Sequence, residues 1–448
     1  MRMTAVSLWW CDLDMRYREI CKAIFSLGMY KERYGVELMA ELLELFGHPQ
    51  LGLHIIHIAG TNGKGSTAFY TASVLHEAGH HVGLYTSPHL VEPTERIRID
   101  GAVVSEDVFA ATGREVLDRL ACAGMEGTAS DVLLLMAVLL FQRCGCDYAV
   151  IETGLGGSLD STNALTDSEG FEEVIGEKPR MPAAVTCITR IGLDHMAVLG
   201  ETVGEIAANK AGILKRGTQA VLADNDSEAM EVLEDRCTSQ EIPYWKVSEQ
   251  TGIDQWLQQH FPERYRTYQR ENMANAVMIA KILGLSQEIW YRGLREAVIP
   301  GRLQTLCRTD GDGILLLDGA HNPSGAAALA DSLKECFPGR HFCCIIGIVK
   351  DKDAEGILEA MLPLLEEVFL VPTGSVDRRM QKEPIMEFLR GMKVPVRSCM
   401  TLQEAFVQTC DRDLALVFGS LYLIGEVLHE FSGTNRSFAH SGIKSECK

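Results

Sequence analysis

Residues 60–67, GTNGKGST, gather in one short stretch the groups that bind phosphate. Gly60, Gly63 and Gly65 let successive backbone N–H groups turn inward around phosphate oxygens, with Thr61 and Asn62 between the first two. Lys64 adds a full positive charge, and the Ser66 hydroxyl follows where it can reach Mg²⁺, with Thr67 behind it. The flanks agree. The apolar run 53–59 reads as a buried parallel strand, and Ala68, Ala72 and Leu75 as one face of a helix that starts near Ser66 and lends its N-terminal partial charge. The loop is shorter than GxxxxGK[ST], and Gly65 separates Lys64 from Ser66. A glycine-rich turn that binds nothing stays open as the alternative.

Glu152, His195 and Lys210 extend this chemistry. DYAVIE, 147–152, is a buried strand that ends in the Glu152 carboxylate and runs into TGLGG. A carboxylate at the C-terminal end of a parallel strand beside a glycine loop is in position to bind Mg²⁺, whereas the plain reading is a strand-end acid facing water. Lys210 falls on the helical face of Val203, Ile206, Ile213 and Leu214. Either its stem lies along the core while the ammonium reaches solvent, or the amine is desolvated. His195, just after a strand, can be a capping or core histidine or a site residue.

The positioning elements follow the chain. Helical patterns occupy 16–47, the loop and its helix end at Gly79, and a strand at 82–86 completes a βαβ unit. A polar loop at 87–101 returns as ERIRID, an apolar helix covers 130–143, an exposed acidic insertion 166–181, and a strand 183–189. ENMANAVMIAKI, 271–282, is helical, and Pro300 and Gly301 form a candidate hinge. Beyond them strands at 314–318, 341–349, 367–371, 394–397 and 413–418 alternate with helical patterns. The expected architecture is α/β: a phosphate-loop, doubly wound N-terminal ATPase domain over 1–299, a smaller Rossmann-like domain over 300–435, and a mobile polar tail over 436–448.

Composition limits the partners. The 448 residues carry a net charge of −19, which argues against nucleic acid or an anionic membrane surface while leaving a local basic pocket for ATP. The 14 cysteines show no paired CxxC spacing with histidines, and Cys343 and Cys344 sit in an apolar run, as buried thiols in a reducing cytoplasm do. No stretch approaches the ~18 apolar residues of a membrane span.

HIAGTNGKGST, SPHL with ERI, ETGLGG followed by LD and TNA, LDH followed by KAGI, PGRL, LDGAHNP and KDKD occur in this order between about residues 20 and 430. Together they resemble folylpolyglutamate synthase and the bifunctional dihydrofolate/folylpolyglutamate synthases of the Mur ligase superfamily. The resemblance implies an ATP-dependent amide ligase that forms an acyl phosphate on a folate or pteroate carboxylate and resolves it with the amine of L-glutamate. It implies that Lys64 holds the β- and γ-phosphates, that Ser66, Glu152 and His195 hold one Mg²⁺, and that Lys210 is carbamylated beside a second. It also implies that Asn275 and Arg302 contact adenine and phosphate, that Asp318 and His321 are the second domain's contribution to ATP, and that closure about 297–301 assembles a monomeric enzyme.

Departures from the family pattern are concentrated. Ser158 replaces the usual Arg after ETGLGG, Ser130 and Asp131 replace an aromatic–Glu pair, and Pro93 and Thr94 replace a polar–Asn pair. All three lie in segments the family turns towards the pterin. Two other readings therefore stay open: the same chemistry on another carboxylate, and a nucleotide-binding regulatory protein without turnover.

Overall fold

The computed structural model describes residues 5–28, 35–166, 183–307, 313–374, 378–379 and 381–432. The expected acidic insertion, apart from Thr166, and the expected polar tail lie outside these. The chain divides into two compact units: Met1–Ile191, His195–Thr251 and Met273–Glu296 form the first, and Gly192–Asp194, Gly252–Asn272 and Ala297–Lys448 the second. The short segments join the second unit through specific contacts, Asp194 with Lys352 at 2.7 Å and the Tyr268 hydroxyl with Asp318 at 2.5 Å.

In the first unit the described strands are β1 (His54–Ala59), β2 (Val82–Tyr85), β3 (Ile97–Ile99), β4 (Ala102–Val103), β5 (Tyr148–Glu152), β6 (Ala183–Ile188), β7 (Ala220–Leu222) and β8 (Tyr244–Lys246). They form one sheet in the order β4-β3-β2-β5-β1-β6-β7-β8, parallel from β2 to β8 and antiparallel at the β3 and β4 edge. The expected βαβ unit is present, with one strand lying between its two. The chain leaves β1 through the helix Lys64–Glu77 and enters β2, but β5 inserts between them, because its run Ala149–Ile151 is apolar on both faces and fits only a central, doubly covered place. The three-residue strands β7 and β8 are absent from the sequence reading, being too short to show a period.

Helices cover both faces. On one side the helices Ala5–Ser26, Val36–Leu45, Glu106–Ala123 and Ala129–Arg143 close over Ile55, Tyr85, Ala149 and Ile151. Ser105 starts the third of these by accepting the Val108 N–H at 3.3 Å, and Thr128 with Asp131 forms a capping box at the fourth. On the other side Ile188 and Leu222 pack with Ile206 and with Leu233 of the helix Ser227–Ser239. Gly293 of the helix Gln287–Glu296 lets that helix press on the helix Lys64–Glu77, where the Ser73 hydroxyl donates to the Gly293 carbonyl at 2.7 Å.

The second unit contains β9 (Gln304–Cys307), β10 (Ile314–Leu317), β11 (Phe342–Ile346), β12 (Leu365–Leu370), β13 (Val396–Ser398) and β14 (Leu414–Phe418), in the order β13-β12-β11-β14-β10-β9. Only the β9–β10 pair of this sheet is antiparallel among the described strands. Its core joins Leu316, Ile346, Leu370 and Leu416 to Leu329, Leu333, Ile357 and Leu389.

Two details make this packing testable. A Cβ on Gly83 would lie 2.4 Å from the fully buried Phe141 ring. Gly83→Ala is therefore expected to lower unfolding free energy by roughly 1–3 kcal/mol in urea titration, with Phe141→Leu restoring part of the loss. His57, fully buried in β1, donates from Nε2 to Thr162 Oγ1 at 2.9 Å, and that hydroxyl donates to Asp160 at 2.5 Å. Burial, aided by Lys215, pushes the imidazole down to about 3 from 6.5. The unfolded chain thus binds more protons between those values, so the stability held by the neutral ring is complete above pH 6.5 and is lost as pH falls. Urea midpoints measured from pH 7 to pH 4 are expected to fall less steeply in His57→Gln than in the wild type.

Candidate active site

The sequence-predicted loop lies where β1, β5 and β6 end together, at the carboxyl edge of the parallel sheet. Its entry is tightly held. The backbone N–H groups of Thr61 and Asn62 donate to the Arg190 carbonyl at 2.9 and 3.1 Å, the Thr189 hydroxyl donates to the Asn62 carbonyl at 2.8 Å, and Lys64 Nζ donates to the Thr61 carbonyl at 3.1 Å. Gly60 admits no side chain, since its Cβ would lie 1.9 Å from Thr189 Oγ1. Gly63 is left-handed at φ 88° and precedes the helix Lys64–Glu77, whose first N–H groups have no partner within the helix. Ser66 and Thr67 are buried in its first turn, and Thr67 Oγ1 has no hydrogen-bond partner among the described residues.

Glu152 faces this turn. A Cβ on Gly65 would lie 3.3 Å from Glu152 Oε2, which also accepts the Ser87 N–H at 3.0 Å. The carboxylate is buried, so the plain reading of a strand-end acid in water fails. The turn that follows is held by Asp160, whose carboxylate accepts the N–H groups of Leu155 at 2.7 Å and Thr162 at 3.0 Å. Burial raises the Asp160 carboxyl above its ordinary value against the pull of those hydrogen bonds. Sequence reasoning assigned Asp160 no role; its signal was the LD that follows ETGLGG.

Lys210 closes the group. It ends the helix Val203–Lys210 with 3% of its surface exposed, and its Nζ donates to the Gly60 carbonyl at 2.9 Å. Of the two readings of this lysine, the structure selects the desolvated one. Gly157 makes the contact possible, because its Cβ would lie 2.7 Å from the Lys210 carbonyl oxygen. Ser158, the departure from the family's Arg, donates its backbone N–H and its hydroxyl to the Asn209 carbonyl at 2.9 and 2.8 Å. Asp131, the second departure, is fully buried and accepts from Thr128 Oγ1 at 2.7 Å and Ser161 Oγ at 2.5 Å. Pro93 and Thr94 form the start of a short 3-10 turn, Pro93–Arg96.

His195 is exposed and takes the N-cap position of Met196–Leu199 with a left-handed backbone, φ 52°. Asn275 lies in the helix Gln269–Ile282, where its buried Oδ1 has no partner among the described residues. A buried amide oxygen in that state fits a missing donor.

Arg302, Asp318 and His321 form a constellation in the second unit. Asp318 follows β10, is 1% exposed, and accepts from Leu303 N–H at 3.0 Å and Ala320 N–H at 2.9 Å; burial raises its carboxyl while the Arg302 charge opposes that. Burial, with Lys352 next, pushes His321 down to about 4. Its Nδ1 donates to the Gly319 carbonyl at 2.8 Å, so Nε2 of the neutral ring is an acceptor. Lys352 pairs with Asp194 at 2.7 Å, with side chains 9% and 12% exposed, and Asn322 donates to the same carboxylate at 2.9 Å.

Mg²⁺ is tested by donor chemistry. Among the described residues no three His, Cys, Asp or Glu side chains gather as a metal cage. The loop calls for none: a buried carboxylate and a buried hydroxyl beside a phosphate site are hard oxygen donors, and Mg²⁺ takes the rest of its shell from phosphate and water. The residues fit the ion.

The chain is similar to known proteins. The Mur ligase, glutamate ligase domain family matches residues 301–421. A Haloferax volcanii protein named a probable bifunctional folylpolyglutamate synthase/dihydropteroate synthase is 32% identical over 92% of the chain, which spans only 50% of that relative's length. The Mycobacterium tuberculosis dihydrofolate synthase/folylpolyglutamate synthase is 32% identical over 75% of the chain and 74% of its own length. The solved M. tuberculosis folylpolyglutamate synthase, complexed with ADP and AMPPCP, superposes with a TM-score of 0.79 at 26% identity, covering 95% of this chain and all of that one. A glycine loop with an acid and a buried lysine gathered on it, and these relatives, lead to one assignment: the chain belongs to the folylpolyglutamate synthase and dihydrofolate synthase family of Mur ligases.

Proposed function

We propose that the protein is an ATP-dependent ligase that couples L-glutamate to the γ-carboxylate of a tetrahydrofolate, and that it also accepts dihydropteroate. The observation that carries this is the convergence of Glu152 and Lys210 on the Gly60–Gly65 backbone, in a chain whose relatives bear both names. A carboxylate is a poor electrophile, since its leaving group would be oxide. In the first step a carboxylate oxygen attacks the γ-phosphorus of ATP and ADP leaves; in the second the glutamate amine attacks the acyl carbon, phosphate leaves and the amine gives up a proton.

The chain's own residues position and neutralise. Lys64 and the N–H groups at Gly63 and Gly65 hold the phosphates, and Thr61, Asn62 and Thr67 shape the pocket. Asn275 receives an adenine donor at its unpartnered Oδ1, Arg302 pairs with phosphate, and Asp318 and the acceptor Nε2 of His321 suit ribose hydroxyls. Ser66, Glu152 and His195 would hold Mg²⁺, and Lys210, as a carbamate, a second ion; bound Mg²⁺ supplies charge neutralisation at the phosphoryl group. Only a neutral amine reacts with CO₂, and burial of Lys210 favours that form. The described cysteines are free thiols, and no described helix is long and apolar enough to cross a membrane.

The acceptor pocket carries the second reading. Ser158 and Asp131 spend their polar atoms on neighbouring protein groups, which favours a changed acceptor if pterins fail. The test is ADP release with L-glutamate and Mg²⁺, comparing tetrahydrofolate, dihydropteroate and no acceptor, with product mass read in parallel. A gain of one glutamyl unit on tetrahydrofolate is expected; stimulation by neither acceptor would move the assignment to another carboxylate, and acceptor-independent hydrolysis alone would revive the regulatory reading. Lys64→Ala and Lys210→Ala are each expected to lower turnover roughly hundredfold or more. Full activity in Lys210→Ala, or an intact-protein mass without added CO₂ in bicarbonate buffer, would rule out the carbamate.

A further inference from the structure

Tyr268 is a residue to which the motif reading gives no task. Its backbone N–H donates to the Ser332 hydroxyl of the helix Pro323–Cys336 at 3.0 Å, its ring packs against the core of the second unit, and its hydroxyl donates to Asp318 Oδ2 at 2.5 Å. The side chain is fixed at both ends, and what it holds is the carboxylate that follows β10. The same Oδ2 accepts the Leu303 N–H at 3.0 Å, and Oδ1 accepts the Ala320 N–H at 2.9 Å.

The turn on the other side of Asp318 needs holding. Gly301 and Leu303 are left-handed at φ 65° and 47°, and a bulky Leu in that region is strained unless its surroundings impose it. Three contacts do so, all within the second unit. The Leu303 N–H lies on Asp318, the Gly319 N–H donates to the Gly301 carbonyl at 2.8 Å, and the Gly301 N–H donates to the buried Gln304 Oε1 at 2.8 Å. Arg302 is the residue this turn presents. A Cβ on Gly319 would lie 2.9 Å from its Nη1, which places the guanidinium against the backbone beside Asp318, and its charge acts on both Asp318 and His321.

We propose that Tyr268 is a positioning residue of the nucleotide site: its hydroxyl orients Asp318, Asp318 fastens the Gly301–Leu303 turn, and the turn sets where Arg302 meets phosphate. This rests on the ligase reading above. A hydroxyl donating to a carboxylate is a charge-assisted hydrogen bond, stronger and more directional than one between neutral groups, so its removal frees the carboxylate to rotate and the strained turn to relax.

The experiment is calorimetric titration of the non-hydrolysable ATP analogue AMPPCP, with Mg²⁺, into wild type, Tyr268→Phe, Arg302→Gln and the double variant. Melting curves and amide exchange of the peptide 300–306 are measured on each protein without nucleotide. Expected are roughly tenfold weaker binding by Tyr268→Phe, a loss in the double variant no larger than in Arg302→Gln alone, faster exchange at Leu303, and a melting temperature within about 2 °C of wild type. In turnover assays KM for ATP should rise more than kcat falls. Wild type that binds no AMPPCP would sink the ligase reading and this inference with it. Wild type that binds, with Tyr268→Phe equal to it, would overturn the inference alone. Additive losses in the double variant would mean that the tyrosine does not act through Arg302, and a lower melting temperature at unchanged affinity would mean a packing role; either would overturn it too.

Discussion

The site depends on one constraint, the immobilisation of the backbone at Gly60. Three elements meet there. Lys210 Nζ donates to the Gly60 carbonyl, Thr189 fills the space a side chain would need, and the Arg190 carbonyl consumes the next two N–H groups. With the entry fixed in this way, the first N–H groups of the helix Lys64–Glu77 are left to point at a ligand instead of collapsing onto the protein. A buried polar group without a partner is costly, so a loop of this kind persists only where its surroundings hold it open.

Buried carboxylates and neutral imidazoles form the frame behind it. Asp160 uses its oxygens to pin the turn after Glu152, and the chain His57–Thr162–Asp160 ties that turn to β1. Burial opposes ionisation of Asp160 and protonation of His57, and the two act in opposite directions with pH: the buried imidazole weakens the fold as pH falls, whereas the raised carboxyl weakens it as pH rises. Asp318 and His321 repeat the scheme in the second unit: burial raises the acid, lowers the imidazole, and each is aligned by backbone groups next to it in sequence. Both units thus use the end of a parallel strand to hold a polar side chain that would be unfavourable elsewhere.

The acceptor segments behave differently from the loop. The resemblance implies family residue types throughout the glycine loop and departures at Ser158 and Asp131; in the structure these two are packing groups, one on the helix end that carries Lys210 and the other in a helix cap. On the proposed ligase reading, that division suits phosphoryl chemistry constrained by the transition state and an acceptor recognised by replaceable contacts. The Asn209 carbonyl that Ser158 satisfies lies one residue before Lys210, so a change at Ser158 is felt at the lysine.

The local chemistry was legible in the chain alone, because glycine spacing, a strand-terminal acid and an apolar helix face are properties of short stretches. GTNGKGST marked the glycine turn that opens a helix, DYAVIE its acidic neighbour, and the ordered set of motifs the family. What only the tertiary structure decided lay in long-range contacts. Lys210 could be snorkelling or desolvated until Gly157 was seen to admit the helix end, and β2 could neighbour β1 until β5 took the central place. Asp160, Arg190 and the Asp194–Lys352 pair acquire meaning from partners up to 158 residues away, and no period or propensity in a sequence records which distant groups a fold brings within hydrogen-bonding distance.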